Sequence, residues 1–328
     1  MMIIGDKKTV IILGAGASVD YGLPTSEKLI EIMLDITAGP YRQSYWIKDV
    51  LGIGKNIFDK NEIESIKSFR KSFREYSPVS IDKFLTLNSS NHELVQTGKM
   101  LITHVIARNQ HTYNRGWYPY LLDAIVKSSD EGEILDVLDN LEIVTFNYDL
   151  TLEDFLWGSL KSLEETTSNN YEKALEKLFS KITHVYGSIF DYSKLVEEKN
   201  LDNTQRLWTY QGKDVEVPDS WWVQMLKDNE IRVIGEERTE DKKHLQSIKD
   251  KTHGAQRMYI LGFGFDDTNL SLCGLDSLSR SKEYEINITN YGGTPRIQRK
   301  ITETFETHGY KTIVSNKTVL EAVKNDFD

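Results

Sequence analysis

The chain has 328 residues and a formal charge of −10, enough for a sizeable core and for one large or two ordinary domains. The acidic balance argues against a nucleic-acid-binding surface, which carries a basic excess. The single cysteine, Cys273, excludes an internal disulfide and any metal site built on cysteine pairs. The N-terminal MMIIGDKKTVIIL has only a short apolar run, no basic lead-in, and a break at Gly14. A cytoplasmic, soluble protein without a membrane span is therefore expected.

Short runs rich in Val and Ile predict strands at Thr9 to Leu13, Glu142 to Phe146, Ile182 to Tyr186, Ile231 to Ile234, Met258 to Leu261, Tyr284 to Thr289 and Lys311 to Val314. Helical patterns alternate with them. The expected fold is α/β, a Rossmann-like parallel sheet with helices on both faces and a large helical insertion. The insertion spans residues 40–139, where NEIESIKSFRKSFREY and HELVQTGKMLITHVIARN carry apolar residues at three-and-four spacing. Residues 1–39 and 140–328 would form the core domain. Glu164 to Asn170 and Glu236 to Lys251 are polar and expected to be exposed, with Glu236 and Glu237 in a solvated loop.

Four strand ends carry chemistry. The first, VIILGAGASVDYGLPT (residues 10–25), offers free backbone N–H groups and glycines that admit a pyrophosphate. For a dehydrogenase-type fingerprint a third glycine belongs at position 19, where Val19 stands, so ordinary dinucleotide binding is disfavoured. The second, IVTFNYDLTLEDFL (143–156), places Asn147 and Asp149 at a strand's carboxyl end, facing whatever the first loop holds. The plainer alternative is a turn shaped by Asn147 and a helix capped by Asp149. The third and fourth, ITHVYGSIFD (182–191) and ILGFGFDDTNLSL (260–272), also run from a strand into glycine and small polar residues. In the fourth, Asp266, Asp267, Thr268 or Asn269 would otherwise only cap a helix. Four such turns on successive strands suggest one long cleft.

Taken together these stretches resemble the sirtuin-like NAD-consuming domains, in particular the bacterial branch found in antiphage defence. GAGASVDYGLPT is similar to that family's Gly-Ala-Gly-x-Ser loop and Gly-Leu-Pro turn, TFNYD to its Thr-x-Asn-x-Asp motif, HVYGSI to its His-Gly-Ser segment, and LGFGFDDTN to its late glycine loop. SIDKFL (80–85) resembles a piece of the helical insertion in the bacterial branch. The matches span residues 9 to about 290, in the family's order.

The resemblance implies that Gly14, Ala15, Gly16 and Ser18 hold cofactor phosphates, with Asp20 and Thr25 near the same loop. It makes Asn147 the residue that positions the water or the nicotinamide ribose, and Asp149 the one that meets the carboxamide. Thr145, Gly187 and Ser188 would be further cofactor contacts, while Gly262, Gly264 and Asp267 would line the adenosine side, with Asn290 beside them. The implied reaction is hydrolysis of NAD to nicotinamide and ADP-ribose through an oxocarbenium-like state that needs nearby oxygens. Protein-deacetylating sirtuins carry a four-cysteine zinc module, absent with one cysteine, so the hydrolase is expected over the deacetylase and no metal is called for.

One departure matters. Tyr186 stands where the family has its general-base histidine, and a phenol with a pKa near 10 is a poor base at neutral pH. His184 lies two residues earlier and, on a continuing strand, would share the face of Tyr186 at roughly 6–7 Å. Either of the two is a candidate for the cleft, and a histidine packed under the sheet is the plainer alternative. A catalytically weak NAD- or ADP-ribose-binding subunit is the second functional reading. An oxidoreductase is disfavoured by Val19 and by TFNYD.

His104, Arg108 and His111 could share a helical face but lack an acid or cysteine at ligand spacing. Trp208, Trp221 and Trp222 are expected in a core or interface. Strands continue nearly to the last residue, leaving no room for a fused sensor domain. An NAD-draining effector of abortive infection would then be restrained by self-assembly or by a separate partner, such as a ring-forming ATPase, with no nucleic acid or membrane bound directly.

Overall fold

The computed structural model describes residues 4–35, 60–109, 116–126, 131–167, 171–191, 226–233, 239–280 and 282–326. The expectations for Ile234, His111, Glu236, Glu237, Trp208, Trp221, Trp222 and residues 40–59 fall outside them.

Strands β1 (Thr9–Leu13), β2 (Leu141–Thr145), β3 (Ile182–His184), β4 (Arg257–Leu261), β5 (Glu285–Thr289) and β6 (Lys311–Ser315) form one six-stranded sheet. All pairs are parallel and the order is β3-β2-β1-β4-β5-β6. That is the doubly wound Rossmann order, in which the chain leaves β1 to one side and returns to β4 on the other. Register pairs Leu13 with both Thr145 and Leu261, and Thr145 with His184. The loops beginning at Gly14, Phe146, Val185 and Gly262 therefore emerge side by side at the carboxyl edge.

Alternate residues of the buried strands feed two cores, as a pleated strand requires. Val10, Ile12, Val144, Met258, Ile260 and Ile286 face one side. There they share a cluster with Phe69, Phe73 and Phe84 from helices α2 (Lys60–Tyr76) and α3 (Ile81–Leu87), and with Ile102 and Val105 of α4 (His92–Asn109). Ile11, Leu13, Ile143, Tyr259 and Leu261 face the other side, against Leu121 of α5 (Tyr118–Ile125), Leu138 of α6 (Glu131–Asp139), Leu156 of α7 (Thr151–Thr167) and Leu178 of α8 (Glu172–Lys181). The helices between β1 and β2 thus cover both faces. NEIESIKSFRKSFREY and HELVQTGKMLITHVIARN are helical throughout, as their periodicity predicts.

Two expectations are corrected. Ile231 to Val233 form no sheet strand; Glu230 and Arg232 instead donate their N–H groups to the carbonyls of Ser188 and Tyr186, so the segment follows the turn after β3. β3 stops at His184, because Gly187 bends in the left-handed region (φ 68°) and returns its N–H to His184 O. The polar stretch from Thr239 onward forms helix α9 (Thr239–Gly254), partly or wholly exposed along most of its length and anchored by buried Ile248 and Thr252. Among the described residues no helix is long and apolar enough to cross a membrane.

Candidate active site

The loop after β1 winds directly into a 3-10 helix, Ala15–Tyr21. It is stitched to the loop after β4: Gly14 N–H donates to Leu261 O and Gly16 N–H to Gly262 O, both at 3.0 Å. A Cβ on Gly14 or Gly16 would collide with Gly262, and one on Gly262 (φ 60°) would collide with Ala17 N. These three glycines permit backbone to lie against backbone, fixing two strand ends to each other. From the far side, Trp117 Nε1 donates to Ala17 O (2.8 Å), and Tyr21 stacks on Tyr118 with ring centroids 3.7 Å apart.

Ser18 and Asn147 meet where the β1 and β2 loops converge. Asn147 is 9% exposed; its Nδ2 donates to Ser18 Oγ (2.8 Å), and its backbone N–H donates to Thr145 Oγ1 (3.1 Å). Its Oδ1 is buried and accepts no hydrogen bond from any described residue. An unfilled buried acceptor is costly in a core and is satisfied by water or by ligand. Asp149, also buried, accepts from Thr151 N (3.1 Å) and Thr151 Oγ1 (2.5 Å), so it does cap α7. Burial, with a smaller push from Glu153, raises its pKa against those hydrogen bonds.

Ala15, Ser18, Leu23, Asp82, Asn147 and Asp149 border a cavity of about 50 Å³. Asp82 arrives from α3, whose first turn is capped by Ser80 Oγ accepting from Lys83 N. Tyr148 OH donates to Asp82 Oδ1 and ties that helix to the β2 loop. SIDKFL is thereby linked to TFNYD, although 66 residues separate the two partners.

The third motif divides. His184 Nδ1 lies 2.8 Å from Asn147 O, and Nε2 lies 2.6 Å from Glu153 Oε1. Glu153, in the first turn of α7, is buried, a partner that the sequence reading missed; its signal was an acid four residues beyond Asp149. Burial works against a charged imidazole, but Glu153's charge and hydrogen bond, then the Asn147 carbonyl, outweigh it and raise the His184 pKa. Tyr186 sits in the turn beyond β3 and does not share His184's surroundings. Its hydroxyl donates to Asn269 Oδ1 (2.6 Å), its ring meets Phe146 edge-on at 5.9 Å, and burial pushes its pKa up. The same-face relation expected of the two fails because the strand ends between them. Ser188 Oγ donates to Phe190 O (2.7 Å), and a Cβ on Gly187 would collide with Glu230 O.

The other candidates scatter. Asp20 and Thr25 are exposed, and Thr25 Oγ1 accepts from Lys28 N at the start of α1 (Ser26–Asp35). Gly264 is exposed with its carbonyl held by Arg296, and Asp267 is exposed and paired with Lys300. Asp266, not Asp267, caps the helix α10 (Asp267–Leu272). Asn290, at the end of β5, is 1% exposed and its Oδ1 accepts nothing from the described residues. Gly262 N–H is held by Thr289 Oγ1 (2.7 Å). Among the described residues no group of three or more His, Cys, Asp or Glu could hold a metal ion.

No family model matches the sequence, and no curated protein matches it. A solved chain described as "Structural Basis for the Mechanism and Regulation of Sir2 Enzymes" aligns over 98% of this chain and 94% of its own. Identity is 13% and the TM-score 0.39. A likeness at that level carries no argument. The fold stands on its own strand order.

Proposed function

We propose that the protein hydrolyses NAD at the bond between nicotinamide and ribose. The observation that carries this is Asn147: a buried amide fixed to Ser18 through one atom and presenting an unpartnered oxygen, at the crossover point where doubly wound sheets bind nucleotides. In the reaction the C1′–N bond breaks with its electron pair going to the ring, water adds its oxygen to C1′, and a proton is released. The positive sugar needs an oxygen dipole, which Asn147 Oδ1 would supply to the sugar or to the attacking water. Asp149 would face the carboxamide. Gly14 and Gly16 spend their N–H groups on the β4 loop instead of leaving them free for an anion, so Ala15 and Ser18 would carry the phosphates, and Gly262 with Asn290 the adenosine half.

A specific observation favours a second reading, a weak or inactive NAD- or ADP-ribose-binding subunit. Both ring nitrogens of His184 are engaged and the Tyr186 hydroxyl is committed to Asn269, so neither offers a free base in this conformation. Nicotinamide release by the wild type beside Asn147→Ala, His184→Ala and Tyr186→Phe, alone and with any co-purifying partner, separates the two. Hydrolysis predicts a loss of roughly 100- to 1000-fold for Asn147→Ala, the scale of one lost electrostatic contact. Unchanged release by Asn147→Ala overturns the site. Tight binding of NAD without release selects the second reading.

The same proposal includes a role in antiphage abortive infection, with activity held off by self-assembly or by a separate partner such as a ring-forming ATPase. A cavity of about 50 Å³ supports a restrained state, since ligand pockets run to roughly 300–1,000 Å³. Activity that falls when the restraining partner is added, and rises again with a phage trigger, is the expected result.

A further inference from the structure

We infer that Glu153 is a positioning residue: it holds His184 as an imidazolium whose Nδ1–H clamps the Asn147 carbonyl, and this clamp aims the Asn147 amide into the crevice. The inference deepens the hydrolase reading and rests on it for its effect on rate. Its own ground is geometric. A peptide carbonyl can only accept, so Nδ1, 2.8 Å from Asn147 O, must carry a proton. Glu153 Oε1, 2.6 Å from Nε2, is a carboxylate oxygen, and the shared proton completes a charged pair. The two side chains are 13% and 6% exposed, so water does little to screen them.

The surroundings support the assignment. Glu153 faces the ring from α7 and Asp149 lies close on the β2 loop. Glu230, Arg232, Asp191 and His244 line, together with His184 and Glu153, a second cavity of about 450 Å³. His244, on α9, is bonded to the backbone carbonyl of His184 at 3.1 Å, and burial and Arg232 lower its pKa. Lys251, also on α9, is bonded to Thr183 Oγ1 and paired with Glu142. The acids closest to the ring thus belong to α7 and the β2 loop, while the histidine behind it stays neutral more readily. Glu153 and Asn147 sit on either side of one ring, so the position of Asn147 in the loop depends on a side chain six residues further along the chain.

The experiment is nitrogen NMR of the full-length chain, with His184 assigned by its disappearance in His184→Asn. In the wild type, the His184 ring is expected to show imidazolium shifts at pH 7.5, and the Asn147 side-chain amide one sharp pair of signals. Glu153→Gln should lower the midpoint of His184 titration by at least tenfold in proton concentration, and should shift or broaden the Asn147 amide. Glu153→Asp should restore both in part. In nicotinamide release, Glu153→Gln should lower kcat about tenfold or more with KM changed less than twofold. A neutral His184 in the wild type at pH 7.5 overturns the inference without recourse to any variant. An unmoved titration or unmoved Asn147 amide in folded Glu153→Gln overturns it too. If the wild type releases no nicotinamide, the hydrolase reading fails by itself while the NMR results still decide the clamp.

Discussion

Gly262 shows how much a single missing side chain decides. Its φ of 60° suits glycine, and a Cβ there would occupy the position of Ala17 N, where the loops after β1 and β4 touch. Gly262→Ala combines left-handed strain with overpacking, each of order 1–3 kcal/mol. Thermal or urea unfolding should show a loss of about 3 kcal/mol, and a loss below about 0.5 kcal/mol would refute the close approach. Gly264, exposed and with open space around it, should tolerate alanine far better. The glycine spacing of the first loop was legible as backbone meeting something at close range. That the something includes Gly262 needed the sheet, because β1 and β4 are neighbours only after about 245 residues of intervening chain have crossed over.

Between elements, the tie from α3 to the β2 loop is one hydroxyl. Tyr148 OH donates to Asp82, whose carboxyl is pushed up by burial against that hydrogen bond. Tyr148→Phe keeps the ring and removes the bond, worth about 1.5–3 kcal/mol when one partner is charged. Amide exchange at Phe84 and Leu85 should quicken roughly ten- to a hundredfold while exchange in β1 stays the same. Unchanged exchange across α3 would show that core packing of Phe84 against Phe69 and Phe73, at 5.7 and 5.2 Å, holds the helix by itself. Helix and strand existence followed from periodicity in nearly every case. The exception is Ile231 to Val233, which has strand-like residues but faces a bent turn with no regular edge to pair with.

For the whole molecule, charge placement sets a pH window. Arg257, at the start of β4, bridges Asp6 and Glu285 at 2.6 and 2.8 Å; it lowers the Asp6 pKa, and Lys7 together with Arg257 lowers that of Glu285. A lowered folded pKa gives stability above the unfolded value, lost as pH falls through the folded one. His184 is the opposite case: its raised pKa gives stability fully present below about 6.5 and lost as pH climbs through the folded value. Unfolding measured across pH should therefore show greatest stability between about pH 4.5 and 6.5. Glu153→Gln should flatten the alkaline side, and Arg257→Ala the acid side. Both carboxylates of the Arg257 pair are about half exposed, so that loss should stay near 1–2 kcal/mol and shrink in high salt.

The amino-acid sequence by itself determined the parallel α/β class, the strand positions to within a residue or two at most ends, and Asn147 as the residue to watch. Those features are local: side-chain periodicity, β-branched runs and glycine placement act within a few residues of themselves. Tertiary structure alone decided the partners. Asp82 meets Tyr148, Glu153 meets His184 and Asn269 meets Tyr186 across separations of 66, 31 and 83 residues. Each pairing follows from where the crossovers place a helix over the sheet. The engagement of His184 and Tyr186 is a property of those partners, which no local pattern encodes.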